Sequence, residues 1–187
     1  MSNMKTIGVL ALQGDFEAHR NAIEEAGARA VEVRTAEQMN ACDGLILPGG
    51  ESTTMLKLLE MEQLTQPLRD FAATKAVFGT CAGAILLAQS VTHPVQPSLQ
   101  LLDIDVERNG YGRQVDSRIA KIDTAEGEVE AVFIRAPIIR RVGPAARVLA
   151  TFGKDPVWVE QGRHMVTTFH PELSKGSAVH RRFLSKI

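Results

Sequence analysis

The chain has 187 residues, 44% hydrophobic and 23% charged, with 21 basic against 22 acidic side chains; that is core-forming material, and its formal charge of −1 leaves no basic field for a nucleic-acid partner. No apolar run approaches the ~18 residues of a membrane span, and Met1 to Lys5 leads into a strand-like segment without a secretory layout. Cys42 and Cys81, the only cysteines, stand 39 positions apart, which excludes a disulfide scaffold or cysteine-rich zinc site and points to a reducing cytoplasm.

Thr6 to Leu12 reads as a buried strand, broken by Gln13-Gly14-Asp15. Ala18, Ala22, Ile23 and Ala26 then recur at helical spacing until Gly27 stops the helix. Arg29–Val33 and Gly44–Leu47 are further short strands, the latter ending at Pro48-Gly49-Gly50. Ala76-Val77-Phe78 is a fourth, running into Gly79-Thr80-Cys81-Ala82-Gly83 and an apolar helix to Ala88. Continuous apolar strands alternating with helices predict a parallel sheet covered on both faces.

Gln89 to Gln100, with Pro94 and Pro97, reads as a loop. Alternating segments follow at Leu102–Val106, Val129–Ile134, Arg147–Phe152, Val157–Val159 and Met165–Phe169, with a hairpin at Gln161-Gly162-Arg163. Their period of two predicts an antiparallel extension of the parallel sheet. A helix from Ser177 to Ile187, turning Val179, Phe183 and Leu184 inward, closes the chain. The expectation is one α/β domain over residues 1–187, with a mostly parallel central sheet flanked by helices.

The strongest chemical signal is the strand-to-helix passage at Cys81. Gly79 and Gly83, two positions either side, remove side chains that would collide in so sharp a bend. This is the pattern of a nucleophile elbow. The adjoining helix start favours thiolate over thiol. Most free cysteines are small buried hydrophobes, a reading that suits Cys42, which lacks the glycines and the apolar strand.

A thiol nucleophile needs a base. Of the five histidines, His170 is delivered to a strand's C-terminal end by Met165–Phe169. If that strand is parallel to the one before Cys81, both side chains reach the same sheet edge. Glu172, two positions on in His170-Pro171-Glu172, would orient the imidazole as the third member of a triad. His19 and His180, on helices beside charged residues, read as solvated, as does His93 in its proline-containing loop; His164 begins a hairpin strand. The Ala82 N–H, with an N–H of Gly50 in Pro48-Gly49-Gly50-Glu51-Ser52, would supply oxyanion donors. The same loop also reads as an ordinary helix entry capped by Ser52 or Thr53.

Together these residues resemble class I glutamine amidotransferases, which carry a Cys-His-Glu triad in this chain order. A narrower resemblance is to the PdxT-type glutaminase subunits of pyridoxal 5'-phosphate synthases. Gly8 to Gly14, Pro48 to Thr54, Gly79 to Gly83, Val106 to Asn109, Gly112-Arg113-Gln114, Phe133 to Pro137 and Thr168 to Leu173 carry it, from Ile7 to the last helix. The resemblance implies a flavodoxin-like fold and hydrolysis of L-glutamine to glutamate and ammonia. It makes Cys81 the nucleophile, His170 base and acid, and Glu172 the orienter, and assigns substrate contacts to Gly49, Gly50, Glu51, Arg108, Ile134 and Arg135. It implies no metal or organic cofactor, and its protein partner is the PdxS-type subunit of pyridoxal 5'-phosphate synthase, which uses the ammonia for vitamin B6 biosynthesis. Two other readings keep the fold: an elbow-cysteine peptidase, deglycase or stress protein of the DJ-1/PfpI type, and a non-catalytic module.

Overall fold

The computed structural model describes residues 3–14, 16–110 and 117–187; Asp15 and the Gly112-Arg113-Gln114 segment lie outside them. In chain order the elements begin with β1 (Thr6–Leu10), α1 (Phe16–Glu25), β2 (Arg29–Val33), α2 (Ala36–Asn40), β3 (Gly44–Leu47), α3 (Ser52–Met61), α4 (Thr65–Thr74) and β4 (Ala76–Thr80). There follow α5 (Ala82–Leu87), β5 (Ala88–Thr92), β6 (Leu102–Glu107), β7 (Ser117–Thr124), β8 (Gly127–Ile134) and β9 (Ile138–Val142). The chain ends with β10 (Arg147–Phe152), β11 (Asp155–Gln161), β12 (His164–Thr167), a 3-10 turn (Pro171–Leu173) and α6 (Ala178–Leu184).

Seven strands form the central sheet, in the order β10-β11-β12-β4-β3-β1-β2. From β12 to β2 every pairing is parallel, whereas β10 and β11 attach antiparallel beyond β12. Because alternate residues face opposite sides and both sides are covered, the inner strands β1, β3 and β4 are buried almost throughout, whereas the edge strand β2 exposes Arg29 and Glu32. Leu45 and Leu47 enter one core cluster and Ile46 the other. The first cluster is completed by α3, α4 and α5, the second by Ile23 of α1, Phe183 of α6 and the inner face of β8. Cys42 is buried in the first cluster, its Sγ 3.2 Å from the Gln38 carbonyl oxygen, as a small core residue. No described helix is long and apolar enough to cross a membrane.

The antiparallel extension is smaller than the alternation predicts. Of the alternating segments β10, β11 and β12 join the central sheet, β12 parallel to β4 and the other two antiparallel beyond it; β6 joins β5 and β9 in a separate three-stranded sheet, and β8 pairs with β7 alone. The local pattern fixes which residues share a face, but not which distant strand they meet. The Gln89–Gln100 loop is corrected likewise: its first residues belong to β5, which pairs parallel with β6 through Ser90, Val91 and Thr92. Other expectations hold. Gly27 stands beyond α1 at φ +96°, and Gly162, at φ +56°, lies in the two-residue turn between β11 and β12.

His19 and His180 are buried, at 0% and 1% exposure, rather than solvated. Charged neighbours misled the reading, because a helix turns each residue about 100° from the next. His19 shares the inward face with Ala22 and Ile23, and His180 lies beside Val179 and three positions before Phe183.

Candidate active site

β4 ends at Thr80 and α5 begins at Ala82, so Cys81 makes the whole turn, at φ 51° and ψ −106°. A non-glycine residue there stores about 1–3 kcal/mol of strain and persists only where its surroundings enforce it. The Cys81 N–H donates to the Thr167 carbonyl of β12 at 2.9 Å, while its own carbonyl accepts from the Ala84 N–H at 3.0 Å. A Cβ on Gly79 would lie 2.5 Å from the Gly83 carbonyl, and one on Gly83 2.1 Å from the Leu47 carbonyl of β3. Both glycines are thus required for α5 to nest against β3 and β4. Ala82 opens α5, so its N–H has no acceptor within the helix.

β12 lies directly beside β4 and parallel to it, with Thr167 opposite Thr80. That adjacency carries the chain to His170 on the same sheet edge as Cys81. The His170 N–H donates to the Val132 carbonyl of β8 at 2.8 Å, and Pro171 starts the 3-10 turn that brings Glu172 back. His170 Nδ1 lies 2.7 Å from Glu172 Oε1. Burial opposes charge on the imidazole, but hydrogen bonds with Cys81 and Glu172 outweigh it and raise the His170 pKa to about 10. Burial likewise opposes charge on Glu172, yet His19 and then His170 hold its carboxyl below the usual range. The structure therefore brings Cys81 and His170 to one cavity wall and joins His170 to Glu172 behind it.

This cavity, of about 500 Å³, is walled by Cys81, Ala82 and His170 at its floor and by Gly50, Glu51, Arg108, Ile134 and Arg135 around it. Cys81 Sγ lies 3.9 Å from the Ile134 carbonyl oxygen. Gly49 is placed differently from the expectation: a Cβ there would stand 2.6 Å from His170 Cε1, so its bare backbone clears space for the imidazole. Gly50, at φ +144°, has the backbone freedom proposed for it.

Glu51 corrects the helix-entry reading. Glu51, not Ser52 or Thr53, caps α3, accepting from the Thr53 and Thr54 N–H groups at 3.1 and 2.7 Å. The Thr54 hydroxyl also donates to it at 2.7 Å, and with those amides draws the carboxyl down to about pKa 2. Arg108 donates to Glu51 at 2.9 Å and to the Thr53 hydroxyl at 3.1 Å. Two groups expected to hold a zwitterionic substrate thus hold each other. Arg135, at φ 44°, is exposed on the cavity wall.

Sequence reasoning passed over two wall residues. Gln13 accepts from the Glu51 N–H at 2.6 Å and so anchors the glycine loop, and Asn109, next to Arg108, donates to the His93 carbonyl at 2.8 Å. Gln13 was visible as a polar break and as part of the Gly8 to Gly14 motif, with no role of its own; nothing local shows that its side chain reaches a residue 38 positions away.

A family model described as the SNO glutamine amidotransferase family matches residues 9–187. The chain is similar to the pyridoxal 5'-phosphate synthase subunit PdxT of Solibacter usitatus, at 60% identity over 98% of this chain and 100% of that protein. The protein of the same name from Deinococcus radiodurans is 54% identical over 96% of this chain and 95% of that one. A crystal structure of a glutamine amidotransferase superposes with a TM-score of 0.91 at 44% identity, covering 96% of this chain and 97% of that one. The structure of PurLQS from Thermotoga maritima, at TM-score 0.68 and 18% identity over 97% of this chain and 99% of that one, speaks to the fold alone.

Proposed function

The chain belongs to the SNO glutamine amidotransferase family and is a glutaminase of the PdxT kind, and from that premise we propose that Cys81, His170 and Glu172 perform its hydrolysis of L-glutamine. The observation that carries this is the His170 imidazole, bonded through Nδ1 to Glu172 at 2.7 Å and facing the same cavity as Cys81.

The Cys81 proton passes to His170 Nε2, and the thiolate attacks the side-chain carboxamide carbon. The resulting oxyanion takes hydrogen bonds from the N–H groups of Ala82 and Gly50. His170 then protonates the amide nitrogen, the C–N bond breaks, and ammonia leaves a γ-glutamyl thioester on Cys81. Water attacks the thioester with His170 as base; glutamate departs and the sulfur is restored. Glu172 holds the imidazole in the tautomer that keeps Nε2 facing the sulfur.

At the mouth, the Arg108 guanidinium suits the substrate's α-carboxylate and the Glu51 carboxylate its α-ammonium. Arg135 adds positive charge, and the Ile134 backbone lies beside the sulfur. The partner implied by the relatives' name is the PdxS-type synthase chain, which takes up ammonia before bulk water protonates it. Residues 1–187 act as one amidotransferase domain in a reducing cytoplasm, in which two unpaired cysteines suit the redox conditions.

Diazo-oxo-norleucine, a glutamine-like electrophile, tests nucleophile and substrate class together. With the partner present, mass spectrometry is expected to find a single adduct on Cys81, and Cys81→Ala to abolish both adduct and glutamate release. A labelled residue elsewhere, or glutamate release by Cys81→Ala, would overturn the reading and reopen the other elbow-cysteine chemistries.

A further inference from the structure

On the side of Glu172 away from His170, two more imidazoles lie in the core. His19 Nε2 stands 3.6 Å from Glu172 Oε2 and 3.4 Å from the Thr80 hydroxyl, and His19 Nδ1 stands 3.3 Å from His180 Nε2. His19 and His180 are completely or almost completely buried, and Oε2 makes no hydrogen bond of ordinary length among the described residues. A carboxylate in that position, sealed from water, needs a donor or a positive charge against its second oxygen.

The proton positions follow from the chemistry of the partners. An ionised carboxylate only accepts. A bare ring nitrogen turned toward it would oppose two lone pairs in a medium of low dielectric, so His19 Nε2 carries hydrogen. His19 Nδ1 then accepts from His180 Nε2–H when the ring is neutral, or donates to it when the ring is an imidazolium. Either state aims an N–H at Glu172 and Thr80.

We infer that His19 is a positioning residue for the triad: its Nε2–H steadies the second oxygen of Glu172 and links that acid to Thr80, the residue before the nucleophile. The inference rests on the triad reading above. It turns a three-residue relay on the sheet edge into a chain that runs from Cys81 through His170 and Glu172 to His19 and His180, spanning β4, the 3-10 turn, α1 and α6.

Among the described residues, the 3-10 turn presents Glu172 to His19, α6 presents His180 and β4 presents the uncharged Thr80. Glu17, Glu24 and Glu25 of α1, Arg29 and Glu32 of β2 and Arg181 of α6 are exposed, and Arg20 and Arg182 are half-buried, ion-paired to Glu17 and to Glu126 and Glu160. Loss of the His19 donor would therefore be felt first at Glu172. An unsupported buried carboxylate takes up a proton more readily, and every form of the relay then loses activity at a higher pH.

The test is run on the chain assembled with its synthase partner. His19→Leu is expected to lower kcat about tenfold to a hundredfold, by analogy with the loss of hydrogen-bond partners that orient metal-binding histidines, while KM for glutamine changes less than about twofold. The acid limb of the kcat/KM profile should move up by about one pH unit. His19→Gln, whose amide nitrogen can take the place of Nε2, should recover most of kcat. A space-filling role predicts the reverse order, with leucine tolerated at least as well as glutamine.

Nitrogen-15 NMR of the parent chain gives a second answer that does not depend on a variant folding. His19 Nε2 should be protonated across the active pH range, and Glu172→Gln should shift its resonance. A bare Nε2 at working pH, or His19→Leu with unaltered kcat and acid limb, would overturn the inference; if the leucine variant does not fold, the NMR result decides alone. Cys81→Ala assayed alongside separates the two claims, because glutamate release by that variant would topple the triad reading instead.

Discussion

The inner and outer halves of the cavity are built in opposite ways. Inside, Cys81 and His19 are buried and the side chains of His170 and Glu172 nearly so, with Glu172 between His170 and His19; the β4–α5 turn, the 3-10 turn and α1 place them. Outside, Glu51 and Arg108 rest on flexible stems, about half and one-sixth exposed, and satisfy each other at 2.9 Å. The inner groups are set by packing before any substrate arrives, which is how orientation lowers a barrier. The outer groups must exchange a partner within the protein for one on the ligand, so they act on affinity. Substitutions inside should depress kcat and those outside should raise KM; any residue that breaks this division has been placed in the wrong half.

The largest effect is expected from Glu172→Gln. The amide cannot supply the anionic charge that stabilises the imidazolium, and it admits the wrong ring tautomer. In the serine-protease triad the corresponding loss is about 10⁴-fold in kcat, and here a fall of about a thousandfold or more is expected at unchanged KM. Steady-state glutamate release with the synthase partner measures it. A decrease below tenfold would show that Glu172 does not orient His170.

Gly83→Ala comes next and tests whether packing sets the inner half. The new Cβ would sit 2.1 Å from the Leu47 carbonyl, a backbone atom with little room to retreat, so α5 must move off β3. Overpacking of this kind costs about 1–3 kcal/mol. Since α5 carries the turn with it, a shift of about 1 Å at the sulfur would lower kcat about a hundredfold. Urea unfolding and kinetics on the same sample should show both losses; full activity would show that the elbow tolerates a displaced helix.

These two residues also mark what could be read without coordinates. The elbow was legible because a two-residue glycine spacing around a cysteine is a local necessity of a tight bend. His170 and Glu172 were legible because the proline between them fixes their relation. His19 was not, since its neighbours in sequence, Ala18 and Arg20, do not share its helix face, and only the packing of α1 shows where that face points. The Glu51 cap was missed for a related reason. Ser52 and Thr53 have the better capping propensity, yet the carboxylate one residue earlier reaches two amides and a guanidinium together. The division of alternating strands among three sheets depends on pairings far apart in the chain, such as β6 with β9, which no local period encodes.

The outer half is sharpened by Arg108→Gln. The variant keeps a hydrogen-bond donor toward Thr53 but loses the charge and the fork that suit a carboxylate. KM for glutamine should rise about tenfold to a hundredfold, the scale of one charge-assisted hydrogen bond worth about 1.5–3 kcal/mol, with kcat changed less than about threefold. The melting temperature should hardly move, because an ion pair this exposed contributes little to stability and Glu51 still caps α3 through Thr53 and Thr54. A loss confined to kcat would move Arg108 into the inner half.

The smallest effect concerns pH, and its sign differs between buried imidazoles. His170, raised to about 10, takes up its proton more readily folded than unfolded. Its stabilisation is complete below the unfolded value near 6.5 and is lost as pH climbs toward 10. His164 and His180 run the other way: burial, reinforced by Arg163 for one and by His19 for the other, lowers them to about 4 and about 3. They contribute stability above pH 6.5 that drains away as pH falls through 4 and then 3, because the unfolded chain binds protons that the native core refuses. Resistance to urea should therefore peak near neutrality and decline on both sides. His164 lies on β12 away from the cavity, where its Nδ1 accepts from the Val77 N–H at 3.2 Å. His164→Asn can keep that acceptor while removing the titration. It should flatten part of the decline between pH 6.5 and 4 and leave glutamate release unchanged at pH 7, and an unaltered slope would mean that the acid sensitivity comes from the carboxylates instead.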